Sequence, residues 1–556
     1  MKTEARFVLA IVLMVGVLVV TNLLFPPVPP KPAAVQDSTG VAQAIPQPAP
    51  GLPVRGQGAD SLVAPSDSLA LVDETERAIV VESPLFRHVF STHGARLTST
   101  ELLAFKSFTR DGAVQLIPVG SRGAFGLRLV VGADTIDLRD AQFTPSREQV
   151  TVGSVPEELT FRHQRGRLIV EVTYTFKPAD YLIEAKGTVQ GLDRGLLFAD
   201  VGSGLELNDA DKTAESRALA YVGNQLEEGI TTYPLSKATE PIVHEGPFYW
   251  AAFKSKFFVL AVMPGDAGFG PEQFGGMLVQ PLGPDLVQVA VSEPIAGDGR
   301  FGYRAFVGPQ DNARLNQLGN ELDEVNPYSW RFARPMIRPL VTAITSILVF
   351  MHNTFNLSYG WVLVLFGLLM RVLLWPLNQK AMRAQAKNMA VQPRMKEIQT
   401  KYKDKPEKMQ EEMLKLYKET GFNPLAGCLP LLLPWPVLIS LYLVFLNTIE
   451  FRGVPFFWLP DLSAPDPYYI LPLFLGVSMF VLQWMSLKSM PDPNPQMKMM
   501  MWMMPIMMVA IFFRFAAGVN LYYAVSNLAT IPQQYFIGKE RMKTQPPRAP
   551  AKKPGG

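Results

Sequence analysis

Long apolar runs without a charge alternate with polar segments along this chain and predict a membrane protein with six transmembrane helices. The first run, residues 7–25, contains 19 residues without a charge. As a helix it extends roughly 28 Å, about the thickness of the hydrocarbon core of a bilayer. The five further predicted spans cover about 357–376, 428–447, 468–487, 499–517 and 519–537.

Lys2 and Arg6 precede the first run, as basic residues precede a signal sequence. A cleaved signal peptide is one interpretation, but its apolar core usually has about 7–15 residues and a small-x-small site follows it closely. The run here is longer, and no such site follows closely. We predict that residues 1–25 form an uncleaved signal-anchor helix with its N-terminus in the cytoplasm.

The chain shows two different patterns before the other spans begin. Residues 26–70 are rich in proline and predict an extended, solvated tether. Residues 71–334 contain short alternating runs broken by Gly, Pro and Asp, which are typical of an antiparallel β-sandwich. The clearest run, 168–176, alternates over nine residues and precedes a partner strand at 181–190. Similar runs cover 113–119, 125–131, 256–263 and 285–292.

Residues 335–356 are apolar but differ from the spans. They are interrupted by Arg338, Pro339, Thr342 and Thr345. We therefore predict an amphipathic helix that lies along the membrane interface instead of crossing it. The core of five spans then covers residues 357–538.

The charges of the loops predict the orientation. The loop 378–424 carries eleven Lys or Arg residues against six Asp or Glu, and residues 538–556 carry six against one. The loop 448–467 has one basic and three acidic residues. Because positively charged loops stay in the cytoplasm, both termini and the loop 378–424 are predicted inside, whereas 448–467 and the β-sandwich are predicted outside.

Composition excludes several classes of protein. The 52 basic and 49 acidic residues give a net charge of only +3, so the chain is not a basic nucleic-acid coat and no specific nucleic-acid sequence is expected as a partner. The single cysteine, Cys428, excludes an intramolecular disulfide. Five scattered histidines and one thiol do not favour a zinc site, and we expect no metal and no cofactor.

The cytoplasmic loop 378–424 is predicted to fold into a helical hairpin. Apolar residues recur at helical spacing on either side of the turn DKPE at 404–407; they are Met395, Ile398 and Tyr402, then Met409, Met413 and Leu416. Lysines flank this apolar seam at Lys396, Lys401, Lys403, Lys405 and Lys408. A solvated connector is one interpretation, but a basic hairpin beside a membrane is more typical of a docking element for an anionic partner.

Arg371 lies within the second predicted span, five residues before Pro376. A guanidinium in the middle of a membrane helix costs roughly 2.5–3.5 kcal/mol on insertion scales, so it should face water or protein instead of lipid. Gly360 and Gly367 lie within about 40° of it around the helix, which predicts open volume on that face. An arginine that snorkels to the cytoplasmic boundary is the alternative, but Trp375 and Pro376 follow it and mark that boundary.

Polar residues also follow one side of two other spans. The last span carries Tyr523, Ser526, Asn527, Thr530 and Gln534 within about 100° of arc, and the third span carries Ser440 and Asn447. Polar faces on three spans predict a water-accessible cavity between the helices. None of the spans contains an acidic residue or a histidine, so such a cavity is suited to passing polar groups and contains no catalytic constellation.

The fifth span has eight methionines within residues 497–508. Methionine is flexible and polarizable, so a surface of this kind suits apolar ligands of varied shape. Ordinary lipid-facing or packing residues are the alternative interpretation.

Four segments together resemble the YidC/Oxa/Alb family of membrane protein insertases, in the six-span form of Gram-negative bacteria. They are RVLLWPLNQKAM at 371–382, NPLAGCLPLLLPWPVLISLY at 423–442, DLSAPDPYYILPLFLGVSMF at 461–480 and NLYYAVSNLATIPQQ at 520–534. The match extends from about 335 to 538 in consistent order and spacing. The N-terminal anchor, the tether and the outer domain fit the same form.

The resemblance implies a non-enzymatic insertase and chaperone of the inner membrane that acts on nascent membrane proteins, alone or with the Sec translocon. Arg371 and the polar residues named above would line a hydrophilic groove open to the cytoplasm and to lipid. The apolar part of a client would slide along Leu432, Ile439, Met503, Met504, Met507 and Met508. Membrane lipids are a further expected partner, and the chain is expected to function as a monomer.

The resemblance also assigns roles outside the spans. The hairpin 378–424 and the basic tail 539–556 would contact the ribosome and a targeting receptor. The outer domain would be a β-supersandwich that resembles sugar-binding folds and is largely dispensable for insertion. We therefore expect that removal of about 75–310 leaves the membrane core folded and active.

Two positions depart from the family pattern. Gly367 stands where relatives often have a hydroxyl residue, so it offers no hydroxyl to the groove. Arg514 stands where an apolar or aromatic residue is expected, but it can snorkel outward and leave the topology unchanged.

Two other functions fit parts of the sequence. Arg371 could bind the anionic solute of a secondary transporter, but transporters usually contain inverted repeats, and we find none. The outer domain could be an enzyme that acts on a carbohydrate. Its only adjacent acid–base pair, His244 and Glu245, is of a kind that usually lies on a surface without catalytic function.

Overall fold

The computed structural model describes most of the chain between residues 75 and 544. The residues left out within that range are 193, 266–271, 284, 296, 327–333, 380–390, 392–393, 396, 404, 421–434 and 489–494. The predicted signal anchor and tether, together with Leu432, Lys396 and the tail from 545 onward, therefore lie outside the described residues.

The first half of the described chain is rich in β-structure, as the alternating runs predict. The strands are β1 (Ala78–Glu82), β2 (Phe86–Ser91), β3 (Leu97–Lys106), β4 (Ala113–Gln115), β5 (Leu127–Val131), β6 (Asp134–Asp137), β7 (Thr144–Pro145), β8 (Gln149–Thr151), β9 (Glu157–Arg165), β10 (Leu168–Phe176), β11 (Leu182–Gln190), β12 (Leu196–Gly202), β13 (Ala220–Gln225), β14 (Gly229–Pro234), β15 (Ile242–Lys254), β16 (Phe258–Pro264), β17 (Phe274–Gly283), β18 (Leu286–Pro294) and β19 (Arg300–Pro309).

These strands form two sheets. The smaller has five strands in the order β4-β3-β2-β1-β8, and the larger has fourteen, with the main path β6-β5-β12-β18-β17-β15-β16-β19-β11-β10-β9-β7 and the hairpin β13–β14 beside β15. The pairings are antiparallel except that β1 and β8 run parallel. The predicted strands 168–176 and 181–190 are β10 and β11, paired from Ile169 opposite Gln190 to Phe176 opposite Ile183.

Aromatic side chains fill the space between the two sheets. The ring of Phe90 on β2 lies 4.9 Å from that of Tyr174 on β10 and 6.0 Å from that of Phe161 on β9. The Tyr174 hydroxyl donates to the Ala95 carbonyl at 3.1 Å. Because β10 alternates buried and half-buried residues, one of its faces packs in this core, which is the arrangement of a sandwich.

One predicted strand is shorter than its run. Residues 113–119 form a strand only as far as Gln115. Ser121 N donates to the Pro118 carbonyl, and Gly120 has a positive φ of 78°. A proline and a left-handed glycine therefore turn the chain before the alternating pattern is complete.

The second half of the described chain is helical. The helices are α1 (Lys212–Ala218) and α2 (Asn312–Leu318) within the β domain, then α3 (Arg334–Phe355), α4 (Tyr359–Leu373), α5 (Pro406–Thr420), α6 (Trp435–Asn447), α7 (Ile470–Lys488), α8 (Pro495–Phe512) and α9 (Ala517–Thr544). α9 contacts α4, α6 and α7, while α3 contacts α4 and α6, and α8 packs on α7.

Within the described residues, two helices are both long and apolar enough to cross a membrane, Pro335–Phe355 and Ile470–Lys488. Three shorter apolar helices cover Tyr359–Leu373, Pro436–Asn447 and Met501–Phe512. The count of six spans therefore stays a prediction. Of the predicted segment 335–356, all but Asn356 lies in one continuous helix, Arg334–Phe355, despite Pro339. Whether this helix lies along the membrane or crosses it also stays a prediction.

Candidate functional site

Arg371 lies near the end of α4 and is hydrogen-bonded to α9. Its Nη2 donates to Oε1 of Gln533 at 2.6 Å. The arginine is half-buried, and Gln533 is only 1 % exposed. No carboxylate among the described residues pairs with this guanidinium. The side-chain acceptor that it contacts is the neutral amide oxygen of Gln533.

Two hydrogen-bond donors at this contact remain without an acceptor in the described part of the chain. They are Nε of Arg371 and Nε2 of Gln533, and both atoms are buried. A buried N–H group without a partner carries a desolvation cost of roughly 1–3 kcal/mol, more when it is charged. The site therefore favours a ligand that supplies oxygen acceptors, and a negatively charged one most of all.

The glycines on the Arg371 face do not open a cavity, and that expectation is wrong. A Cβ placed on Gly360 would lie 2.0 Å from Cδ2 of Phe456, and one on Gly367 would lie 3.3 Å from Val525 and 3.5 Å from Tyr522. Both glycines are buried. They let other side chains approach the α4 backbone closely, as small residues do at membrane helix contacts.

The polar residues of α9 take part in separate contacts. Asn527 Nδ2 donates to the Ser478 hydroxyl on α7 at 3.0 Å, while the Thr530 hydroxyl donates to the Ser526 carbonyl within α9 at 2.6 Å. Gln534 is 8 % exposed. The ring of Tyr523 lies 5.5 Å from that of Phe512.

The third predicted span contributes less polarity than expected. Ser440 is fully buried, and its hydroxyl donates to the Pro436 carbonyl of the same helix at 2.7 Å. Asn447, the last residue of α6, is half-buried. A serine that bonds to its own backbone lowers the cost of its own burial, so the presence of Ser440 does not require a cavity.

Three of the residues predicted for the apolar surface have exposed side chains. Met503 and Met507 on α8 are 55 % and 49 % exposed, and Ile439 on α6 is 36 % exposed. Met504 and Met508 are half-buried instead: the Met504 sulfur accepts from Gln483 at 3.3 Å, and Met508 packs on the helical core. One row of methionines thus faces outward and the next packs inward.

The hairpin lysines predicted for docking are exposed where they are described, at Lys401, Lys403, Lys405 and Lys408. The apolar positions Tyr402, Met409 and Met413 are half-buried, and Leu416 is buried. The amphipathic pattern of this segment therefore agrees with its burial.

The alternative pair on the outer domain packs as part of an aromatic cluster. His244 Nε2 lies 3.4 Å from the Tyr221 hydroxyl, and the ring of His244 lies 4.7 Å from that of Tyr233. Burial lowers the pKa of His244, and Glu245 is exposed. The described residues hold no group of three or more metal-ligating side chains.

Gln533 is the site residue that sequence reasoning missed. It lies about 20° around the helix from both Ser526 and Tyr522 at 100° per residue. The sequence therefore contains the signal, but the predicted polar stripe passes through the neighbouring Gln534 instead. Which of two adjacent glutamines faces α4 depends on the rotation of α9, and that rotation is set by packing against three helices.

Comparisons with known protein families match both halves of the chain. A family model described as the YidC periplasmic domain matches residues 78–341. A second, described as the 60Kd inner membrane protein family, matches residues 350–545.

Relatives extend over nearly the whole chain. The membrane protein insertase YidC of Syntrophus aciditrophicus (strain SB) is 29 % identical over 97 % of this chain and 100 % of its own length. The membrane protein insertase YidC of Prosthecochloris aestuarii is 31 % identical over 87 % of this chain and 88 % of its own length.

Two solved structures show weaker likeness. A crystal structure of an active YidC insertase with its first transmembrane domain resolved has 18 % identity and a TM-score of 0.35, covering 83 % of this chain and 93 % of that one. A galactose mutarotase related enzyme from Lactobacillus acidophilus has 12 % identity and a TM-score of 0.28, covering 41 % of this chain and 97 % of that one.

Proposed function

The chain belongs to the YidC family of membrane protein insertases, and from that premise we propose that Arg371 and Gln533 form the intramembrane site that receives the polar flank of a nascent membrane protein. The family is one of inner-membrane proteins with a periplasmic domain, which here is the β-sandwich. Clients are nascent membrane proteins, and the chain handles them as insertase and chaperone.

The unpartnered donors of Arg371 and Gln533 are the observation that carries this proposal. A polar flank that enters the membrane must exchange hydrogen bonds to water for other partners, because each unsatisfied group costs several kcal/mol in hydrocarbon. Peptide carbonyls and Asp or Glu carboxylates are the acceptors that the two donors lack. The site lowers the barrier by binding, with no bond made or broken.

The exposed side chains of Met503, Met507 and Ile439 support a neighbouring path for the apolar part of the client. Methionine adapts to side chains of different shape at little cost. The client segment moves along this surface into lipid while its flank is held at Arg371.

The orientation has two kinds of support. The basic loop 378–424 and basic tail favour a cytoplasmic location by the positive-inside rule. The acidic loop 448–467 contacts the periplasmic domain through Arg452, which favours placing it in the periplasm. Both termini then lie in the cytoplasm, where the exposed lysines of the hairpin face the ribosome or a targeting receptor, and the chain works as a monomer, alone or beside the Sec translocon.

Insertion into liposomes tests the proposed site. Arg371→Ala removes a charged donor, so we expect insertion of a short client with acidic translocated residues to fall by about tenfold, which corresponds to one lost charge-assisted hydrogen bond of roughly 1.5 kcal/mol. A client whose flank is uncharged should change much less. Equal loss for both clients would contradict the proposal, and uptake of a small anion without insertion of either client would favour the transporter instead.

A further inference from the structure

Arg452 lies in the loop that joins α6 to α7, yet its side chain is buried in the periplasmic domain. Its side chain is only 3 % exposed. Nε donates to Oδ1 of Asp209 at 2.7 Å, Nη1 to the Lys106 carbonyl at 2.9 Å and Nη2 to the Asn208 carbonyl at 3.1 Å. Each nitrogen of the group therefore has a partner in the β domain.

Two phenyl rings contact the same guanidinium. Its central carbon lies 4.7 Å from the ring centre of Phe108 and 5.1 Å from that of Phe258. Gly453 follows with a positive φ of 71°, and a Cβ there would lie 3.0 Å from Phe108. Arginine is the residue that combines stacking with a planar set of donors, and the next residue is one that allows the close approach.

Residues before Arg452 point alternately into the two halves of the molecule. Ile449 belongs to the core of the β domain. The ring of Phe451 packs in the helical core, 4.8 Å from Tyr359 on α4 and 4.6 Å from Phe445 on α6. The loop thus has side chains in both cores within four residues.

The rest of the same loop is tied to further elements. Lys256 of the β domain donates to the Ser463 carbonyl at 3.1 Å. At the start of α9, Ala517 N donates to the Ala464 carbonyl at 2.7 Å and Gly518 N donates to the Leu462 carbonyl at 2.9 Å. One loop therefore connects the β domain with α4, α6, α7 and α9.

We propose that Arg452 is a positioning residue that fixes the α6–α7 loop to the periplasmic domain, so that this domain and the outer ends of the core helices move as one body. The periplasmic domain then restrains the outer ends of the core helices and does not move independently of them. This junction between the two halves does not depend on whether Arg371 binds clients.

Arg338 provides a matched control because it joins the same two halves. This arginine of α3 pairs with Asp323 at 2.9 Å and with Glu324, but its side chain is 40 % exposed. Its carboxylate partners are 10 % and 7 % exposed, so water reaches this pair on the arginine side, whereas Arg452 and Asp209 are 3 % and 11 % exposed. An ion pair that water reaches contributes less than one that is buried on both sides. If charge alone coupled the two halves, removal of either arginine would weaken the coupling equally. If the buried contacts of Arg452 fix the loop, removal of Arg452 should have the larger effect.

The test is hydrogen exchange of the full-length protein in nanodiscs, comparing wild type with Arg452→Ala, Arg452→Lys and Arg338→Ala. In Arg452→Ala we expect amides of the loop 453–466 and of residues 106–109 and 208–215 to exchange at least about tenfold faster, because both sides of a buried contact open together. Arg452→Lys should recover only part of the protection, since the compact ammonium group of lysine has neither the planar fork of donors that reaches the three acceptors nor the flat face that stacks on the two rings. Arg338→Ala should leave these segments unchanged.

A second measurement separates loss of coupling from loss of folding. Spin labels at the exposed positions Val119 and Ile470, in a Cys428→Ser background, report the distance between the β domain and α7. We expect one narrow distance distribution in the wild type and in Arg338→Ala, and a broad one in Arg452→Ala with β10 and β11 still protected. A narrow distribution in Arg452→Ala, or exchange that rises only in the loop, would overturn the proposal.

Discussion

Arg371 is the residue that the sequence singles out, and the structure adds its partner, Gln533. The position of Arg371 and the lack of an acid in the spans could be inferred from sequence alone. The contact with Gln533 could not, because the rotation of α9 about its axis depends on packing against α4, α6 and α7. Likewise Gly367, expected beside open volume, is covered by Tyr522 and Val525.

Gln533→Glu tests the electrostatic part of the site. A carboxylate opposite Arg371 would act as a permanent counter-ion and occupy the donors that a client needs. We expect insertion of clients with acidic flanks to fall several-fold, measured by protease protection in liposomes, with a smaller effect on neutral flanks. Gln534→Glu, the neighbouring amide, is the control and should not discriminate between the two kinds of client. If both clients respond alike to Gln533→Glu, the electrostatic account is wrong.

The stability of the periplasmic domain should depend on one buried carboxyl. Glu293 on β18 is 1 % exposed, and burial raises its pKa to about 8 from the ordinary 4.5. The folded domain therefore retains a proton that the unfolded chain releases, so stability is fully present below pH 4.5 and is lost as the pH rises through 8.

Glu293→Gln removes this titration. We expect the variant to be more stable at pH 7 by up to about 3 kcal/mol, because 1.36 kcal/mol corresponds to one pKa unit. Urea unfolding of the full-length protein in detergent at pH 5 and pH 7 measures the difference. The exposed Glu245→Gln is the control, and a Glu293→Gln gain that is the same at both pH values would contradict the prediction.

At the scale of elements, local patterns predicted the strands better than the helix contacts. The β10–β11 hairpin follows directly from alternation and a short turn, since each strand needs only a neighbour and one buried face. The helices occupy the predicted segments, but α4 has only 15 residues and α9 extends to Thr544. Their ends depend on loops far away in sequence, such as the one that carries Phe456 against Gly360.

Gly360→Ala tests this close contact. The added methyl group meets the Phe456 ring at 2.0 Å, so the ring or the loop must move. Overpacking of this kind typically costs about 1–3 kcal/mol, and we expect a lower unfolding temperature of the detergent-solubilised protein. Gly153→Ala, at a glycine with no atom within 4 Å of the added Cβ, should change it little. Equal midpoints for the two variants would count against the packing argument.

At the scale of the whole molecule, the sequence predicted two halves but not their junction. A proline-rich tether and a change of pattern near residue 335 favour independent modules. The contacts of Arg452 and Ile449 join the halves through a loop that begins more than a hundred residues after the β domain ends. No local pattern marks such a contact, because one arginine and one isoleucine in a loop are ordinary residues.

Removal of 75–310 should therefore lower the thermal stability of the remaining helical core, an effect that is not expected if the two halves are independent modules. The deletion exposes Ile449 and leaves Arg452 without Asp209. We expect the truncated chain to insert clients but to aggregate at a lower temperature in detergent, as judged by the monodisperse fraction after heating. Adding Ile449→Ser to the deletion should recover part of that fraction, since it removes the newly exposed apolar side chain. If the truncated chain resists heating as well as the full chain does, the contacts at the junction contribute nothing to thermal stability.

The backbone bonds from Ala517 and Gly518 to the α6–α7 loop have a consequence for how this protein is itself made. The first amides of a helix have no partner within that helix, and here their acceptors were synthesised about fifty residues earlier. During translation those carbonyls form these bonds only after the final helix has been synthesised. A nascent chain stalled before residue 517 therefore still lacks the two backbone donors that hold the α6–α7 loop against the last helix.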